Sequence, residues 1–128
     1  MAKFLLWLNG LGFAALGAVC IVSPEFATGL SGLGLVGGDA PAEIRAQYGG
    51  LFLGLGIFAS AGALRANLLS PALLLMLLVY LGLASGRALG VLLDPGPFGS
   101  YTFGALGFEI VLSILLTIAV LQRRQAPQ

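Results

Sequence analysis

Long apolar runs that contain no charged residue dominate the chain. Three of them, Phe4–Pro24, Ala46–Leu64 and Ala66–Gly86, are each close to the roughly 20 residues that a helix needs to cross a bilayer. A fourth run, Phe103–Leu121, contains Glu109 as its one ionisable residue. The runs are continuously apolar and lack the alternation of a barrel strand. The pattern therefore predicts an all-α protein, a single four-helix transmembrane domain over residues 1–128, with spans at about residues 4–23, 43–64, 68–92 and 103–122.

The segments between these runs are of different kinds. Residues 25–42 are too apolar for a solvated linker and too rich in glycine for a helix, so we expect them to lie on the end of the bundle or in the membrane interface. At their end, Asp39 and Pro41 are typical of a helix start, with an acidic cap and a proline in the first turn. Residues 65–70 predict a short link between antiparallel neighbours, and residues 94–100 predict a turn.

The distribution of charge predicts an orientation. The first run is longer than the roughly 7 to 15 apolar residues of a signal peptide, so we expect it to be a retained helix. With four spans, one side of the membrane receives only basic residues: Lys3, Arg65, Arg123 and Arg124. The opposite side receives the acidic residues Glu25, Asp39, Glu43 and Asp94. The positive-inside rule then predicts that both termini lie in the cytoplasm.

Composition excludes several classes of protein. The 128 residues include six basic and five acidic side chains and are 59% apolar, which is incompatible with a soluble domain. No histidine is present and Cys20 is the one cysteine, so triads, the usual zinc sites and an intrachain disulfide are excluded. A net charge of +1 provides no basic patch for nucleic acid. We therefore expect no enzyme activity, no cofactor, no metal and no nucleic-acid partner.

Small residues recur every four positions within three of the spans. They are Gly10, Ala14 and Ala18 in the first span, Gly50 and Gly54 in the second, and Gly82, Gly86 and Gly90 in the third. Such stripes let helix backbones approach closely. They predict tight packing within the chain, with contacts between the copies of a homo-oligomer as the alternative.

Four ionisable residues border the membrane on its outer side: Glu43, Arg45, Arg87 and Glu109. Arg87 lies eleven residues before Phe98, in the predicted turn, and Glu109 lies eleven residues after it. An antiparallel hairpin places the two at the same depth, so we expect them to meet. The second span begins on that same side, which brings Glu43 and Arg45 to the same level.

Two tyrosines share helical faces with these arginines. Tyr48 lies three residues after Arg45, and Tyr80 lies seven residues before Arg87. Both hydroxyl groups are therefore candidates for the same polar cluster. Asn9, in the first span, is expected instead to donate a hydrogen bond to another helix.

A charge within a span costs roughly 2.5 to 3.5 kcal/mol, so such charges are paired and face the bundle interior or water. The cluster of Glu43, Arg45, Tyr48, Tyr80, Arg87 and Glu109 therefore fits two interpretations. It is an ion-pair lock that joins three spans at zero net charge, or it binds a ligand. Guanidinium and phenol groups suit a carboxylate, a phosphate or a lipid headgroup, and the apolar bundle would take a tail. The arginines disfavour a metal between the two glutamates.

A short Arg-Ala-x-Tyr-Gly-Gly stretch at residues 45–50, preceded by Glu43, opens the second span. It is followed along the chain by Gly54, Gly56, Arg65, the pair Gly86-Arg87, and Glu109. In these residues the chain resembles a bacterial family of small four-helix membrane proteins of unknown function. The resemblance implies an inner-membrane location and a four-helix fold, and it implies no substrate. Small multidrug transporters have a similar length, but their working glutamate lies in the first span, which here has no acidic residue.

Three functions remain compatible with the sequence. The first is a non-enzymatic membrane protein that binds a lipid or another amphipathic or anionic small molecule at the cluster. The second is an accessory subunit or assembly factor, whose partner is another membrane subunit and whose cluster only holds the bundle together. The third is a small proton-coupled transporter, in which protonation of Glu109 would free an arginine to hold an anion.

Overall fold

The computed structural model of the chain describes residues 1–94 and 96–125, and these are folded into an all-helical bundle. Within them, four helices are long and apolar enough to span a membrane, which confirms the predicted architecture. They begin two or three residues earlier than the predicted spans, and a short helix lies between the first two. In chain order the helices are α1 (Ala2–Val22), α2 (Pro24–Ser31), α3 (Ala40–Leu64), α4 (Ala66–Leu93) and α5 (Ser100–Gln125).

Helix α2 corrects the expectation that residues 25–42 contain no helix. Pro24 occupies its first turn, where a missing N–H costs no hydrogen bond. The Thr28 hydroxyl donates to the Pro24 carbonyl oxygen at 2.9 Å, and Gly32 ends the helix at φ 74°. The left-handed conformation at Gly32 is the usual glycine stop signal for a helix. The glycines of this segment therefore lie at and after the end of α2 rather than throughout an irregular loop.

Helix α3 begins where the sequence predicts, at Ala40 after Asp39, with Pro41 in its first turn. Residues Ile44–Gly50 then form a π-helix before regular α-helix resumes at Leu51. Because a π-helix has about one residue more per turn than an α-helix, the side chains after this segment are rotated about the helix axis relative to those before it. Such segments are frequent at functional sites. This one contains the whole Arg-Ala-x-Tyr-Gly-Gly stretch.

The connections between the last three long helices are short. Arg65 alone separates α3 from α4, whereas a six-residue link was predicted. The remaining residues of that predicted link belong to α4, and Pro71 lies inside this helix. The turn predicted at residues 94–100 separates α4 from α5, although Pro95 lies outside the described residues. These connections make α3, α4 and α5 consecutive antiparallel neighbours.

Helix α1 packs against α3 along most of its length. A Cβ atom on Gly17 would lie 2.6 Å from the backbone nitrogen of Leu53. A Cβ atom on Gly56 would lie 2.5 Å from the backbone nitrogen of Ala14 and 2.7 Å from the carbonyl oxygen of Gly10. Both separations are far below van der Waals contact, so only glycine permits this approach. Two members of the stripe predicted on the first span, Gly10 and Ala14, are therefore part of a packing surface within the chain, whereas the third, Ala18, is exposed.

The other predicted stripes are not contacts within the chain. A Cβ atom on Gly54, or on any of Gly82, Gly86 and Gly90, would meet nothing within 4 Å. The close approach of α3 to α1 uses a different face of α3, the one that carries Gly49 and Gly56. The four-residue spacing predicted that these helices pack closely along their small residues, but it did not identify the face of each helix that is buried.

The best-packed part of the core lies in the half of the bundle near the chain termini. Leu6 at the start of α1, Leu73 and Met76 in the first half of α4, and Leu116 near the end of α5 are fully buried. Towards the opposite end fewer side chains are buried, and α1 scarcely touches α5. This uneven packing leaves room for a cavity in the half of the bundle remote from the termini.

Candidate functional site

A cavity of about 590 Å³ lies in the half of the bundle remote from the termini. Its walls come from α1, α2, the first turns of α3 and the facing halves of α4 and α5. Sites for small molecules typically enclose roughly 300 to 1,000 Å³, so this volume suits one such ligand. Four of the lining side chains that remain exposed lie on α1 and α5, which scarcely touch each other: Leu8, Leu16, Tyr101 and Phe108. Two others, Leu33 and Tyr48, are exposed near α2 and at the start of α3. The cavity therefore opens sideways, between α1 and α5, and we call this gap the lateral opening.

Arg87 and Glu109 form a two-pronged ion pair in the wall of this cavity. The Nη2 atom of Arg87 donates to Oε1 of Glu109 at 2.8 Å, and Nε lies 3.2 Å from Oε1 and 3.1 Å from Oε2. Glu109 is only 4% exposed, whereas a quarter of the Arg87 side chain remains accessible. Within the described part of the chain, Nη1 of Arg87 has no hydrogen-bond partner. The pair thus provides hydrogen bonds to both oxygens of the buried carboxylate, and it leaves the Nη1 edge of the guanidinium free to donate.

The α4–α5 hairpin explains why these two residues meet. Both side chains lie the same number of residues from Phe98, so the antiparallel helices place them at one depth. The Ser113 hydroxyl, one turn further along α5, donates to the backbone carbonyl of Glu109 at 2.8 Å. On the other side of the guanidinium, its central carbon lies 5.9 Å from the centre of the Tyr101 ring, within range of a cation–π contact. Two neighbours on α5 therefore flank the pair.

A second buried polar contact joins α1 to α4. The Tyr80 hydroxyl donates to Oδ1 of Asn9 at 2.6 Å, and Nδ2 of Asn9 donates to the Leu5 carbonyl at 2.7 Å. Both Asn9 and Tyr80 are buried and both line the cavity. The interhelical bond of Asn9 was expected, but Asn9 accepts it rather than donating it. Its place in the cavity wall was not predicted, since Asn9 and Tyr80 are 71 residues apart and no local pattern links them.

Aromatic rings form a continuous surface along the cavity, from α3 to α5. Successive ring centres are 5.7, 5.3, 5.8 and 6.1 Å apart, and three of the four pairs are edge-to-face. These distances lie in the favourable range for aromatic pairs. All five rings line the cavity, and we call them the aromatic wall: Tyr48, Phe52, Phe13, Tyr80 and Phe108. The sequence predicted two of its members as site residues, Tyr48 and Tyr80.

Glu43 and Arg45 are not brought to the Arg87–Glu109 pair. Oε2 of Glu43 accepts a hydrogen bond from Nε2 of Gln47 at 2.8 Å, within α3. Nε of Arg45 donates to the Ile21 carbonyl at 3.0 Å, in the last turn of α1. Neither residue lines the cavity. The prediction was based on the depth of these residues along the membrane normal. Which neighbour a side chain reaches also depends on the face of α3 from which it projects.

Four of the six predicted site residues therefore share one cavity. Tyr48, Tyr80, Arg87 and Glu109 line it, with the ion pair at one end and the aromatic wall along its side. Arg45 has a different role, since it caps a free carbonyl at the end of α1 and so ties the π-helical segment to that end. The geometry combines an apolar surface, a small number of hydrogen-bond donors and access from the side.

Comparison with known proteins identifies one family. A family model described as a domain of unknown function (DUF4345) matches residues 1–120. The matched region contains every residue that lines the cavity. No curated protein and no solved structure matches the chain.

Proposed function

Because the chain belongs to the DUF4345 family, a domain of unknown function, we propose its role from the cavity. The protein binds a lipid or another amphipathic small molecule of the membrane and does not transform it. The polar head of the ligand lies at Arg87, held by the guanidinium face that Glu109 leaves available, and the apolar part lies along the aromatic wall. The lateral opening admits the ligand directly from the bilayer.

One observation carries this proposal: polar and apolar surfaces meet inside a single cavity that opens between two long apolar helices. Ligand sites are typically apolar with a few polar groups that fix orientation, and this cavity has that composition. A packing defect would not require an ionised pair in its wall, because a charge within a span is costly. Arg87 is held there by Glu109 yet keeps donors free, which is what binding of a head group needs.

The orientation inferred from the sequence places this site in the outer leaflet. The basic residues that flank the spans lie at the end of the bundle that carries the termini, and the ion pair lies in the other half. By the positive-inside rule, we propose that both termini lie in the cytoplasm. We further propose a location in a bacterial inner membrane, as the resemblance to a bacterial family of small membrane proteins implies. The ligand would then enter from the outer half of the bilayer, beneath α2.

Native mass spectrometry of the protein, released gently from its own membrane, tests the proposal. Gly12 lines the cavity, and a Cβ atom on it would meet nothing within 4 Å, so we expect the ring of Gly12→Phe to occupy part of the cavity. Gly54 also has open space around it but lies outside the cavity, so Gly54→Phe is a matched control. We expect a stoichiometric small amphiphile on the wild type and on Gly54→Phe, and its loss from Gly12→Phe. An unliganded wild-type protein would contradict the proposal.

A second candidate function is favoured by the completeness of the ion pair. Both carboxylate oxygens of Glu109 are bonded, and no buried side-chain nitrogen or oxygen among the described residues lacks a partner. This is what a structural lock in an accessory subunit or assembly factor would require. The double variant Arg87→Leu with Glu109→Leu separates the two roles, since it removes the polar head site and leaves no charge unpaired. If the double variant folds and still carries its ligand, or still binds its partner subunit, the ion pair has a structural role alone.

A further inference from the structure

The charge of the cavity restricts the head group of its ligand. Arg87 and Glu109 are the two charged residues among those that line it, and they are paired with each other. The site is therefore electrically neutral. A carboxylate or phosphate head would have to approach Arg87 beside an existing carboxylate, and such like-charge contacts are unfavourable in a site of low dielectric constant. The cavity thus favours an uncharged head.

The hydrogen-bonding groups of the cavity restrict it further. Both oxygens of Glu109 are occupied by Arg87, while Nη1 of Arg87 still has its protons available. The hydroxyls of Tyr48 and Thr102 also line the cavity and have no partner among residues 1–94 and 96–125. The groups left over, on α4, α3 and α5, can all donate. The free Nη1 of Arg87 can only donate, so a ligand that satisfies it must accept, as a carbonyl oxygen does, and the two hydroxyls can donate to a second acceptor.

The aromatic wall adds a restriction on shape. Five contacting rings form one side of the cavity, and aromatic groups prefer other rings in offset or edge-to-face contact. Phe108, the last of them, is more than half exposed and lies at the lateral opening. A saturated chain would gain only area burial here, whereas a flat conjugated ring would also gain these ring contacts. Leu8 and Leu16, across the opening, suit an apolar tail that continues into the bilayer.

We propose, resting on the function proposed above, that the ligand is an uncharged carbonyl-bearing ring with an apolar tail, of the para-quinone class. One ring carbonyl accepts from Arg87 and the second from a hydroxyl across the cavity. The ring lies against the aromatic wall, and the tail leaves through the lateral opening. The proposal concerns binding, and it assigns no electron or proton transfer to the protein.

Binding of three tailed probes to the full-length protein in phosphatidylcholine nanodiscs tests this assignment. The probes are a decyl-substituted 1,4-benzoquinone, dodecanoate and dodecyl phosphate, and one-to-one adducts are counted by native mass spectrometry. We expect the quinone to bind at least about tenfold more tightly than either anion, a difference of about 1.4 kcal/mol. Phe108→Leu should weaken quinone binding roughly three- to tenfold through loss of a ring contact. Phe103→Leu, on an exposed position of the same helix outside the cavity, should leave it unchanged.

The outcomes separate this inference from the function on which it rests. Binding of dodecanoate or dodecyl phosphate as tight as that of the quinone would overturn the quinone assignment and leave an amphiphile-binding protein. Equal quinone affinity in Phe108→Leu and the wild type would overturn the role of the aromatic wall, and with it the assignment. Failure of all three probes to bind, together with an unliganded protein from the native membrane, would overturn both proposals.

Discussion

Replacing Arg87 with leucine should destabilise the bundle, because it leaves Glu109 buried without its donor. Glu109 is 4% exposed, and all of its side-chain hydrogen bonds come from Arg87. Removing one partner of a buried ion pair costs about 3 to 5 kcal/mol, and a lone charge within a span costs about 2.5 to 3.5 kcal/mol. The two ranges overlap at about 3 kcal/mol, which is the loss expected for Arg87→Leu.

The reverse variant should be less harmful. In Glu109→Leu the arginine loses its partner, but a quarter of its side chain is accessible and it can reach the water or head groups at the cavity. With both residues changed to leucine, no charge remains in the wall, and the stability should return to within about 1 kcal/mol of the wild type. The double variant should therefore be more stable than Arg87→Leu alone.

Unfolding by sodium dodecyl sulfate in mixed micelles, followed by circular dichroism, measures all four proteins of this cycle. A favourable coupling energy of a few kcal/mol between the two sites is expected, as for residues in direct contact. Additive losses would refute the pairing: the double variant would then be less stable than the wild type by the sum of the two single losses. The reasoning would also fail if Arg87→Leu unfolded like the wild type.

Three further predictions concern packing and polar contacts, and the same unfolding assay checks the first two. Gly56→Ala should lower the free energy of unfolding by roughly 1 to 3 kcal/mol, because its Cβ meets the α1 backbone. Gly54→Ala, in open space, should raise it by up to about 1 kcal/mol, and equal effects of the two changes would contradict the packing. Tyr80→Phe should cost about 1 kcal/mol by leaving Oδ1 of Asn9 without its donor, and an unchanged stability would contradict it. Gly32→Ala should strain the end of α2 and speed hydrogen exchange there, and unchanged exchange would contradict it.

The four long helices could be predicted because a bilayer imposes a length on every segment that crosses it. Charge-free runs near 20 residues indicate spans whatever their neighbours are. The pairing of Arg87 with Glu109 was accessible for a related reason, since a short turn fixes the relative depth of two antiparallel helices. Both inferences depend on distance along the chain, which the sequence contains.

Inferences that depend on the face of a helix were less successful. Gly56 and Gly54 are two residues apart on α3, yet one touches the α1 backbone and the other faces open space. In a membrane both faces are apolar, so hydropathy does not distinguish the buried one. The same limit applies to Arg45, which caps α1 instead of joining the ion pair.

The cavity itself could not be predicted, because it arises from contacts between distant segments. Asn9 and Tyr80 contribute one wall through a bond across 71 residues. The π-helical segment that carries Tyr48 has no signature in composition, and its extra residue per turn changes which side chains share a face. A cavity depends on where side chains fail to fill space, and that property belongs to the whole bundle.

Photo-crosslinking in intact membranes tests most directly whether the cavity holds a ligand. Benzoylphenylalanine in place of Phe108 would react at the lateral opening, and the same group in place of Phe103 would react on the exposed surface of the same helix. We predict that position 108 captures a defined small amphiphile and that position 103 captures the bulk phospholipids of the membrane. Capture of the same phospholipids at both positions would contradict the account.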